Sequence, residues 1–469
     1  MRVYTGAFSM ELAMAQIAFL TLFLGLTLGP QPIALTVTGP VATVEVLLDG
    51  APVGHLSGAP WKGQLDFGPS LVPHDLVARA LDSKGNEIGR AEQWLNLPRA
   101  PAEVEILLEN GAAGRPVAAR LTWESLTGEN PSAIGVTFDD KTLIMDPKGR
   151  VKLPAWNPET AHVLTAELRF AGALTARRDV VFGGRWGDQI STELTAVPVR
   201  LRSGKGLPSP ERMQGWFRAG GQPVNVAAVE ESPAELLVVR DLALPEELEK
   251  MVAGGNRTRP ILNQRASVFD DRSSEFHRFD MTLGKEDAIR FIWPVSRPVA
   301  GSGLPAELFD VSRDLDSRDG GLLWFLARFV PRDDGPAQQR LADAVAVAGL
   351  QALYANHRRA VLLVLSKQPH DKSRSDPALV RRYLESIRVP LILWTYGDPA
   401  SPPVAAWGKA EEISSLGRMR KAFNHLEDEL KSQHIVWIDG LHLPQSIELS
   451  PEAAAVVELV GPAPLAPVR

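Results

Sequence analysis

The sequence predicts a multidomain protein, in which two all-β Ig-like sandwiches precede a three-layer α/β domain with a mainly parallel sheet. Three observations support this fold class. From Ile33 onward, apolar and polar residues alternate, which is typical of half-buried strands. Elements of this pattern recur about ninety residues later, the length of one sandwich domain. Finally, the apolar run at 236–239 leads into a helix-like segment, which is typical of a parallel strand buried on both faces.

Composition limits the classes of function. The 469 residues are 45% hydrophobic and 23% charged, as in ordinary globular proteins, and this length predicts two to four domains of roughly 100–200 residues each. A net charge of -6 provides no basic patch, so we expect no nucleic-acid partner. The chain contains no cysteine, which excludes disulfides, thiolate catalysis and thiolate zinc sites.

The N-terminal segment contains an uncharged apolar run at residues 17–28. This run has the size of a signal-peptide core and is shorter than a typical transmembrane span of about 20 residues. We therefore expect residues 1–30 to be a signal peptide or an N-terminal anchor, and the protein to be exported to the periplasm, the outer surface or the medium. Any membrane contact would come from this segment alone, if it is uncleaved. A buried N-terminal helix is the alternative.

The first predicted sandwich spans residues 31–98. Asp49 and Gly50 form a strong hairpin signal, because a type I′ turn needs positive φ at both central positions. Together with the segments at 59–61 and 74–86, this hairpin resembles the bacterial Ig-like modules. That resemblance implies a small β-sandwich that acts as a spacer or adhesive unit.

The second predicted sandwich spans residues 99–203 and is a weaker copy of the first. Residues 136–140 repeat the first hairpin, and residues 162–168 repeat the strand at 74–81. Residues 98–101 read Pro-Arg-Ala-Pro, which is typical of a linker between modules.

Two types of side chain in these modules have a functional alternative. His74 and His162 occupy the same place in both repeats, but we find no second histidine or carboxylate at metal-ligand spacing that recurs with them, which favours a structural role at the start of a strand. Tryptophans could line a carbohydrate-binding face, although such residues more often fill or rim a sandwich core. These tryptophans are Trp61, Trp94, Trp123 and Trp156.

A linker at 204–232 and an α/β domain at 233–465 complete the predicted order. Strands alternate with helices here, which predicts right-handed βαβ units and a parallel sheet. Asp376 and Pro377 supply an N-cap and a first-turn proline for one helix. The further predicted elements are strands at 288–293, 360–366 and 389–395, a helix from about 336 to 357, an exposed insertion at 254–286, and an apolar segment at 322–330 that is either helix or strand.

The α/β domain resembles the von Willebrand factor A (vWA) family. The family places Asp-x-Ser-x-Ser after its first strand and uses it to hold Mg²⁺, whereas residues 241–245 read Asp-Leu-Ala-Leu-Pro. The closing segment at 423–436 resembles the end of secreted vWA-related proteins found in acidobacteria. The resemblance covers about half of the chain and implies a vWA-like scaffold in which Asp241 is kept and both hydroxyls are lost.

The resemblance also implies where a metal would lie. The family has an aspartate after the fourth strand, where this chain has Lys367, preceded by Ser366. An ammonium group there would repel a dication, and a hard cation such as Mg²⁺ needs several oxygen ligands that Asp241 alone cannot supply. We therefore predict a degenerate metal site with no metal or other cofactor, and take Asp241, Ser366 and Lys367 as candidate ligand-face residues.

A second acidic segment, residues 310–316, superficially resembles a metal-binding loop. It lacks the glycine that a Ca²⁺ loop of the EF-hand type requires, and Arg313 and Arg318 offset its charge. We interpret it as a solvated turn.

The functional prediction is a non-enzymatic secreted or envelope protein that binds another protein or envelope component through its vWA-like domain. We find no nucleophile-elbow, zinc-protease, phosphate-loop or dinucleotide-binding motif, so we assign no catalytic residue. One alternative is a hydrolase with a site near Asp241, Ser366 and His370, since Ser366 and His370 lie close together in a strand-to-loop segment. The other is a structural spacer.

Overall fold

The structure is a computed structural model of the chain. The residues it describes are 16–21, 23, 25–98, 102–111, 115–125, 130–139, 141–147, 149–159, 162–170, 175–182, 194–202, 206–230, 233–252, 283–284, 287–298, 307–315, 321–332, 334–354 and 356–461.

The first module is a sandwich of two antiparallel sheets. One sheet has the order β1-β2-β5 and the other the order β4-β3-β6-β7, and their inner faces enclose a separate core. The strands are β1 (Gln16–Phe19), β2 (Pro30–Thr38), β3 (Thr43–Leu48), β4 (Ala51–Leu56), β5 (Lys62–Asp66), β6 (His74–Leu81) and β7 (Glu87–Leu95).

Part of the apolar N-terminal run belongs to this sandwich. Strand β1 pairs antiparallel with β2, with Ile17 opposite Val37. The ring of Phe23 meets that of Phe67 edge-on, with 5.1 Å between centroids. No helix in the described part of the chain is long and apolar enough to cross a membrane. Export through this segment stays a prediction.

The second module is also a sandwich, with sheets ordered β11-β10-β13-β14 and β12-β9-β8. Its strands are β8 (Ala102–Asn110), β9 (Pro116–Ser125), β10 (Ala133–Phe138), β11 (Lys141–Thr142), β12 (Arg150–Lys152), β13 (His162–Arg169) and β14 (Thr175–Phe182). Its core, which includes Leu121, Leu164 and Phe182, is formed by residues of this module alone among those described.

The chain then enters a region that was predicted to finish the second sandwich and to form a linker. Its elements are β15 (Leu194–Leu201), a 3-10 turn at Pro210–Met213, β16 (Phe217–Ala219), β17 (Gln222–Val224) and β18 (Val226–Glu230). None of these strands pairs with a strand of the second sandwich in the described structure.

A six-stranded sheet covered by helices on both faces follows. Its order is β21-β20-β19-β22-β23-β24, and all neighbours are parallel except the edge strand β21. Its elements are β19 (Ala234–Arg240), α1 (Leu244–Val252), β20 (Ala288–Pro298), β21 (Glu307–Val311), α2 (Leu322–Arg328), α3 (Leu341–Gln351), β22 (Arg358–Leu365), α4 (Pro377–Ser386), β23 (Leu391–Thr395), α5 (Pro402–Ala405), β24 (Glu411–Glu412) and α6 (Leu416–Lys431).

The central strands β19 and β22 are apolar on both faces because helices cover both. Leu236 and Val238 face α1, α2 and α6, whereas Leu237 and Val239 face α3, α4 and α5. Every residue of β19 is buried, as its unbroken apolar run predicted.

The C-terminal segment completes the region after the second sandwich. Its elements are β25 (Gln433–Asp439), a 3-10 turn at Pro444–Ser446, β26 (Ile447–Leu449), α7 (Pro451–Val456) and β27 (Val457–Leu459). They form the sheets β18-β25-β15-β27 and β17-β16-β26, which share a third β core.

These pairings differ from the predicted boundaries at 99–203 and 204–232. Strand β15 pairs antiparallel with β25, so Val197 and Val199 are buried in one core with Val436 and Ile438. The sequence of β15 is typical of a further sandwich strand and does not show which strand it pairs with. Its partner β25 lies far away in the chain, so the pairing leaves no local sequence signal.

The structure decides one ambiguity and shortens one predicted helix. The segment predicted at 322–330 forms a helix, α2. The helix predicted from about 336 to 357 is shorter, because Pro336–Gln338 forms a separate 3-10 turn and α3 spans only Leu341–Gln351. The insertion predicted at 254–286 lies outside the described residues, apart from Leu283 and Gly284.

The first module packs directly on the α/β sheet. Leu71 and Leu97 belong to the same buried cluster as Val380 and Tyr383 of α4. The Tyr383 hydroxyl donates a hydrogen bond to the Asn96 carbonyl at 3.1 Å. The first module and the α/β sheet therefore share a core.

Candidate functional site

The candidate site lies at the carboxyl ends of the two central strands. Asp241 directly follows β19, and Ser366 directly follows β22. The strands are parallel with Arg240 opposite Val364, so both side chains lie at the same edge. The structure thus brings together two of the three residues that the sequence singled out.

Protein groups occupy both oxygens of the Asp241 carboxylate. Oδ2 accepts hydrogen bonds from the Ser366 hydroxyl at 2.6 Å and the Ser366 N–H at 3.4 Å. Oδ1 accepts from the Ala243 N–H at 2.9 Å and from Gln339 Nε2 at 3.1 Å. Asp241 and Ser366 are 0% and 1% exposed, so neither offers a side chain to solvent. Because both side chains are buried, neither can contact a ligand at the surface.

Gln339, which sequence reasoning missed, joins three segments of this site. Its Nε2 donates to Asp241 and also to the His370 carbonyl at 2.8 Å, while its Oε1 accepts from the Leu242 N–H at 3.0 Å. The residue is fully buried. Its one weak signal is an uncharged polar side chain shortly before an apolar helix.

Lys367 is the one exposed member of the three candidate residues. Its backbone N–H faces the Glu247 carboxylate, with distances of 3.1 and 3.0 Å to the two oxygens. No ion pair of its ammonium group is found in the described part of the chain. The side chains that donate to Asp241 are those of Gln339 and Ser366.

The loop after Ser366 lies in close contact with the loop after β23. A Cβ added to Gly397, in the loop after β23, would lie 2.8 Å from the Lys367 carbonyl oxygen. Such a contact would force the backbone to move. Glycine is therefore needed where these two loops approach each other.

This arrangement does not fit a bound Mg²⁺ such as the vWA family holds. Both carboxylate oxygens already accept two hydrogen bonds each, and a cation would have to displace the donors. Mg²⁺ also requires several further oxygen ligands in octahedral order. Among the described residues, no group of three or more His, Cys, Asp or Glu side chains is placed to hold a metal.

The arrangement does not assemble the alternative hydrolase site either. The Ser366 hydroxyl is buried and donates to Asp241. His370 is exposed and contacts the site through its carbonyl group rather than its ring. No hydrogen bond joins Ser366 to His370 in the described structure, whereas a nucleophile and its base need such contact.

Asp371, in the same loop, caps helix α3. Its two oxygens accept from the Leu341 N–H at 2.9 Å and the Ala342 N–H at 3.1 Å. These N–H groups are among the four that a helix leaves without internal partners. The loop is thereby attached to the start of α3, the helix that follows Gln339 in the chain.

Arg240, next to Asp241, caps helix α2. Its guanidinium donates to the carbonyls of Phe325, Leu326 and Phe329, the last at 2.6 Å. Burial lowers the pKa of Arg240 to about 10, although the neighbouring Asp241 charge acts in the opposite direction. A cation at a helix C-terminus also complements the helix dipole.

The two histidines of the β-modules each bind an aspartate at a hairpin tip. His74 Nδ1 lies 2.6 Å from Asp49 Oδ2, and His162 Nδ1 lies 2.5 Å from Asp139 Oδ2. A carboxylate partner therefore recurs with each histidine, contrary to the sequence interpretation, while the structural role at a strand start is retained. Asp49 and Asp139 both have positive φ, as the hairpin signal requires.

The remaining candidates take structural positions. Asp310 forms ion pairs with Arg297 and Arg332 at 2.8 and 3.0 Å, and Asp314 pairs with Arg290. Asp316 and Arg318 lie outside the described residues. All four tryptophans pack against hydrophobic cores rather than forming one exposed face; they are Trp61, Trp94, Trp123 and Trp156.

Comparison with known proteins identifies no family for this chain. No protein-family profile and no curated protein sequence matches the chain. Similar solved structures include the fibronectin(III)-like modules of Clostridium thermocellum CbhA, with 14% identity over 36% of this chain and 94% of that chain and a TM-score of 0.15. The central fibronectin-III array of RIM-binding protein shows 12% identity over 43% of this chain and 81% of that chain, with a TM-score of 0.23.

A third similar structure is a β-glycosidase from Bacteroides vulgatus, at 10% identity and a TM-score of 0.19. The match covers 36% of this chain but 24% of the glycosidase. The β-rich architecture with several sandwich-like sheets is an observation of the structure itself. These scores are too low to bear on function.

Proposed function

We propose that this protein is a non-enzymatic, exported binding protein, and that its α/β domain is a vWA-like scaffold that recognises a partner protein without a metal ion. The observation that carries the proposal is the closed state of Asp241, whose carboxylate accepts four hydrogen bonds from the protein itself. A metal-dependent vWA domain needs an open carboxylate at this position.

The same observation argues against hydrolysis. Ser366 is buried and its hydroxyl already donates a hydrogen bond to Asp241, so it is not accessible to a substrate. An activated nucleophile needs an adjacent base and an accessible reacting atom. A binding function requires neither an adjacent base nor an accessible reacting atom.

The proposal places partner contact on the exposed part of the same edge. Lys367 and Gln368 both project from the loop after β22 and are exposed. Ligands of open α/β sheets bind outside the carboxyl ends of the strands. The loop itself is held by Glu247, Gln339 and the close approach of Gly397, so it presents these two side chains on a fixed backbone.

The test is an affinity capture from envelope extracts with full-length protein as bait. We compare the wild type with a Lys367→Glu, Gln368→Ala double variant, each in Mg²⁺ and in EDTA. Lys62→Glu, an exposed charge reversal on the first module, is the matched control. We expect a specific partner that the double variant loses, that Lys62→Glu retains and that EDTA does not release.

Other outcomes would contradict the proposal in distinct ways. An unchanged set of partners in the double variant would favour a structural spacer. Release by EDTA would show a metal-dependent site. Turnover of ester or peptide substrates that Ser366→Ala abolishes would show an enzyme.

A further inference from the structure

The apolar N-terminal run takes part in two interfaces of the fold. Its described residues are 16–21, 23 and 25–29. The first half belongs to the sandwich of the first module, and the second half lies where that module meets the α/β sheet. The run that has the size of a signal-peptide core is therefore packed into the folded chain.

The first half of the run is hydrogen-bonded to both sheets of the first module. Beyond the pairing of β1 with β2, the N–H groups of Leu20 and Thr21 both donate to the Ala34 carbonyl, at 2.8 and 3.2 Å. The Thr21 hydroxyl accepts from the Ala34 N–H at 2.9 Å, and the Thr21 carbonyl accepts from Gln93 Nε2 at 3.2 Å. Because Ala34 lies in β2 and Gln93 in β7, this half of the run joins the two layers of the sandwich.

The apolar side chains of the first half complete the core of the module. Phe23 is only 8% exposed and belongs to the same core as Ile33 and Leu76. Ile17 and Phe19 pack against that core. A chain that lost these side chains would have a gap in the core, and such gaps are costly because protein interiors are close-packed. The core of the first module is therefore incomplete without the run.

The second half of the run is bound by one buried asparagine. Asn96 is 1% exposed; its side-chain oxygen accepts from the Thr27 N–H at 2.6 Å, and its side-chain nitrogen donates to the Thr27 carbonyl at 3.0 Å. The same nitrogen donates to the Val72 carbonyl at 3.1 Å. Without Thr27, the Asn96 amide would lose two partners in the protein interior, where an unpaired polar group is costly.

Asn96 also connects the run to the α/β domain. Its carbonyl accepts from the Tyr383 hydroxyl of α4, and its φ of 58° lies in the left-handed region that asparagine adopts more readily than most residues. Leu26, next to Thr27, packs against the buried cluster that contains Leu97 and Tyr383. The run thus contacts both the first module and the helix against which that module packs.

We infer that residues 16–29 stay in the mature protein, where they form a strap that fixes the first module on α4. The core of a signal peptide is removed on export, whereas these residues supply hydrogen bonds and apolar contacts that the folded chain lacks without them. A leader that is cleaved off would end before Gln16, the first residue of β1. The strap does not depend on export, so it can be tested independently of the function proposed above.

Two leucines of the run provide a matched comparison in the full chain. Leu26 packs where the first module meets α4, whereas Leu20 is 62% exposed. Leu26→Asp and Leu20→Asp reduce the apolar character of the run equally, so a signal-peptide core predicts the same effect of both on export. The strap predicts that only Leu26→Asp lowers the melting temperature, by about 5 °C or more, and speeds amide exchange in Pro377–Ser386.

Equal melting temperatures in the two variants, with unchanged exchange in α4, would overturn the strap. If Leu26→Asp does not fold, Leu26→Ala is compared with Leu20→Ala in the same way. The expected shift is then smaller but in the same direction, because the alanine removes apolar contacts without burying a charge. Equal stability of these two alanine variants would also overturn it.

The N-terminus of the mature protein is the second readout. Full-length protein with a C-terminal tag is purified separately from cytoplasm, envelope and medium, and its N-terminal peptide is identified by mass spectrometry. We expect residues 16–29 in the folded protein of every fraction. An exported form that begins near residue 30 would overturn the strap while supporting export. Protein found only in the cytoplasm would contradict export, and the leucine comparison then decides whether the strap exists.

Discussion

Asp241 shows how one residue can be found from sequence while its role is not. Its position after an apolar strand was predicted, and the structure places it there. Its partners could not be predicted, because the Gln339 and Ser366 side chains arrive from 98 and 125 residues away. A strand-end carboxylate looks the same in sequence whether it faces solvent or is enclosed by donors.

Replacing Asp241 tests whether it holds these segments together. Asp241→Ala leaves the Gln339 amide and the Ser366 hydroxyl buried without their acceptor, so we expect the free energy of unfolding to fall by about 2–4 kcal/mol. Urea denaturation of the full chain measures this change. Asp428→Ala, at an exposed position on α6, should change stability by less than about 0.5 kcal/mol. Equal losses in the two variants would contradict a structural role for Asp241.

The His162–Asp139 pair has opposite effects on its two pKa values. Burial alone would lower the pKa of His162, but hydrogen bonds to Asp139 and to the Asn157 carbonyl outweigh it and raise the pKa. Burial alone would raise the pKa of Asp139, but hydrogen bonds from His162 and the Val163 N–H lower it. The pair therefore favours the charged forms of both residues.

This pair predicts a pH dependence. The contribution of His162 is present below its unfolded pKa of about 6.5 and is lost as pH rises through the raised folded value. The contribution of Asp139 is present above its unfolded pKa of about 3.9 and is lost as pH falls through the lowered folded value. We therefore expect His162→Gln to lower the melting temperature of the chain most between about pH 5 and pH 6, and less at alkaline pH. The exposed His55→Gln should show no such trend, and a constant difference for His162→Gln would refute the prediction.

At the scale of elements, helix α4 was predicted correctly and helix α3 was not. Asp376 caps α4 as expected, accepting from the Leu379 N–H at 2.8 Å. This cap is local, so the sequence shows it. The cap of α3 is Asp371, which follows the helix in the chain and reaches back to its start. The helix was predicted to start near residue 336 rather than at Leu341, because its capping residue does not precede it in the sequence.

The Asp371 cap can be tested directly. Asp371→Ala leaves the Leu341 and Ala342 N–H groups without acceptors, and loss of such a cap costs about 0.5–2 kcal/mol. We expect a reduced unfolding midpoint in urea and faster amide exchange in the first turn of α3. Lys372→Ala, an exposed neighbour, should change neither. Unchanged exchange at Leu341 in Asp371→Ala would contradict the assignment.

At the scale of the molecule, individual strands were predictable and the contacts between distant segments were not. The alternating pattern identified strands of both sandwiches, and the buried runs identified β19, β22 and β23. No local pattern showed that β15 pairs with β25, or that Leu71 and Leu97 join the helices of the α/β sheet. Such contacts depend on which surfaces meet, and a single sequence does not encode that in its periodicity.

The shared core predicts that damage in the first module reaches the α/β domain. Leu97→Ala creates a cavity against α4, and a buried Leu→Ala change costs about 2–5 kcal/mol. We expect faster amide exchange in Pro377–Ser386, measured by mass spectrometry. Leu121→Ala, a matched cavity in the second module, should leave that helix unchanged, because its core is separate. Unaltered exchange in α4 of Leu97→Ala would mean that the modules are uncoupled.

The central claim is that the carboxyl edge around Asp241 is closed and binds no metal. The most direct test is the melting temperature of the full chain with millimolar Mg²⁺ or Mn²⁺ and with EDTA. A ligand at a hundred times its Kd stabilises the native state by about 2.7 kcal/mol, so an occupied site would raise the melting temperature clearly. We predict the same melting temperature in all three conditions. A rise in Mg²⁺ or Mn²⁺ that disappears in Asp241→Ala would contradict the account.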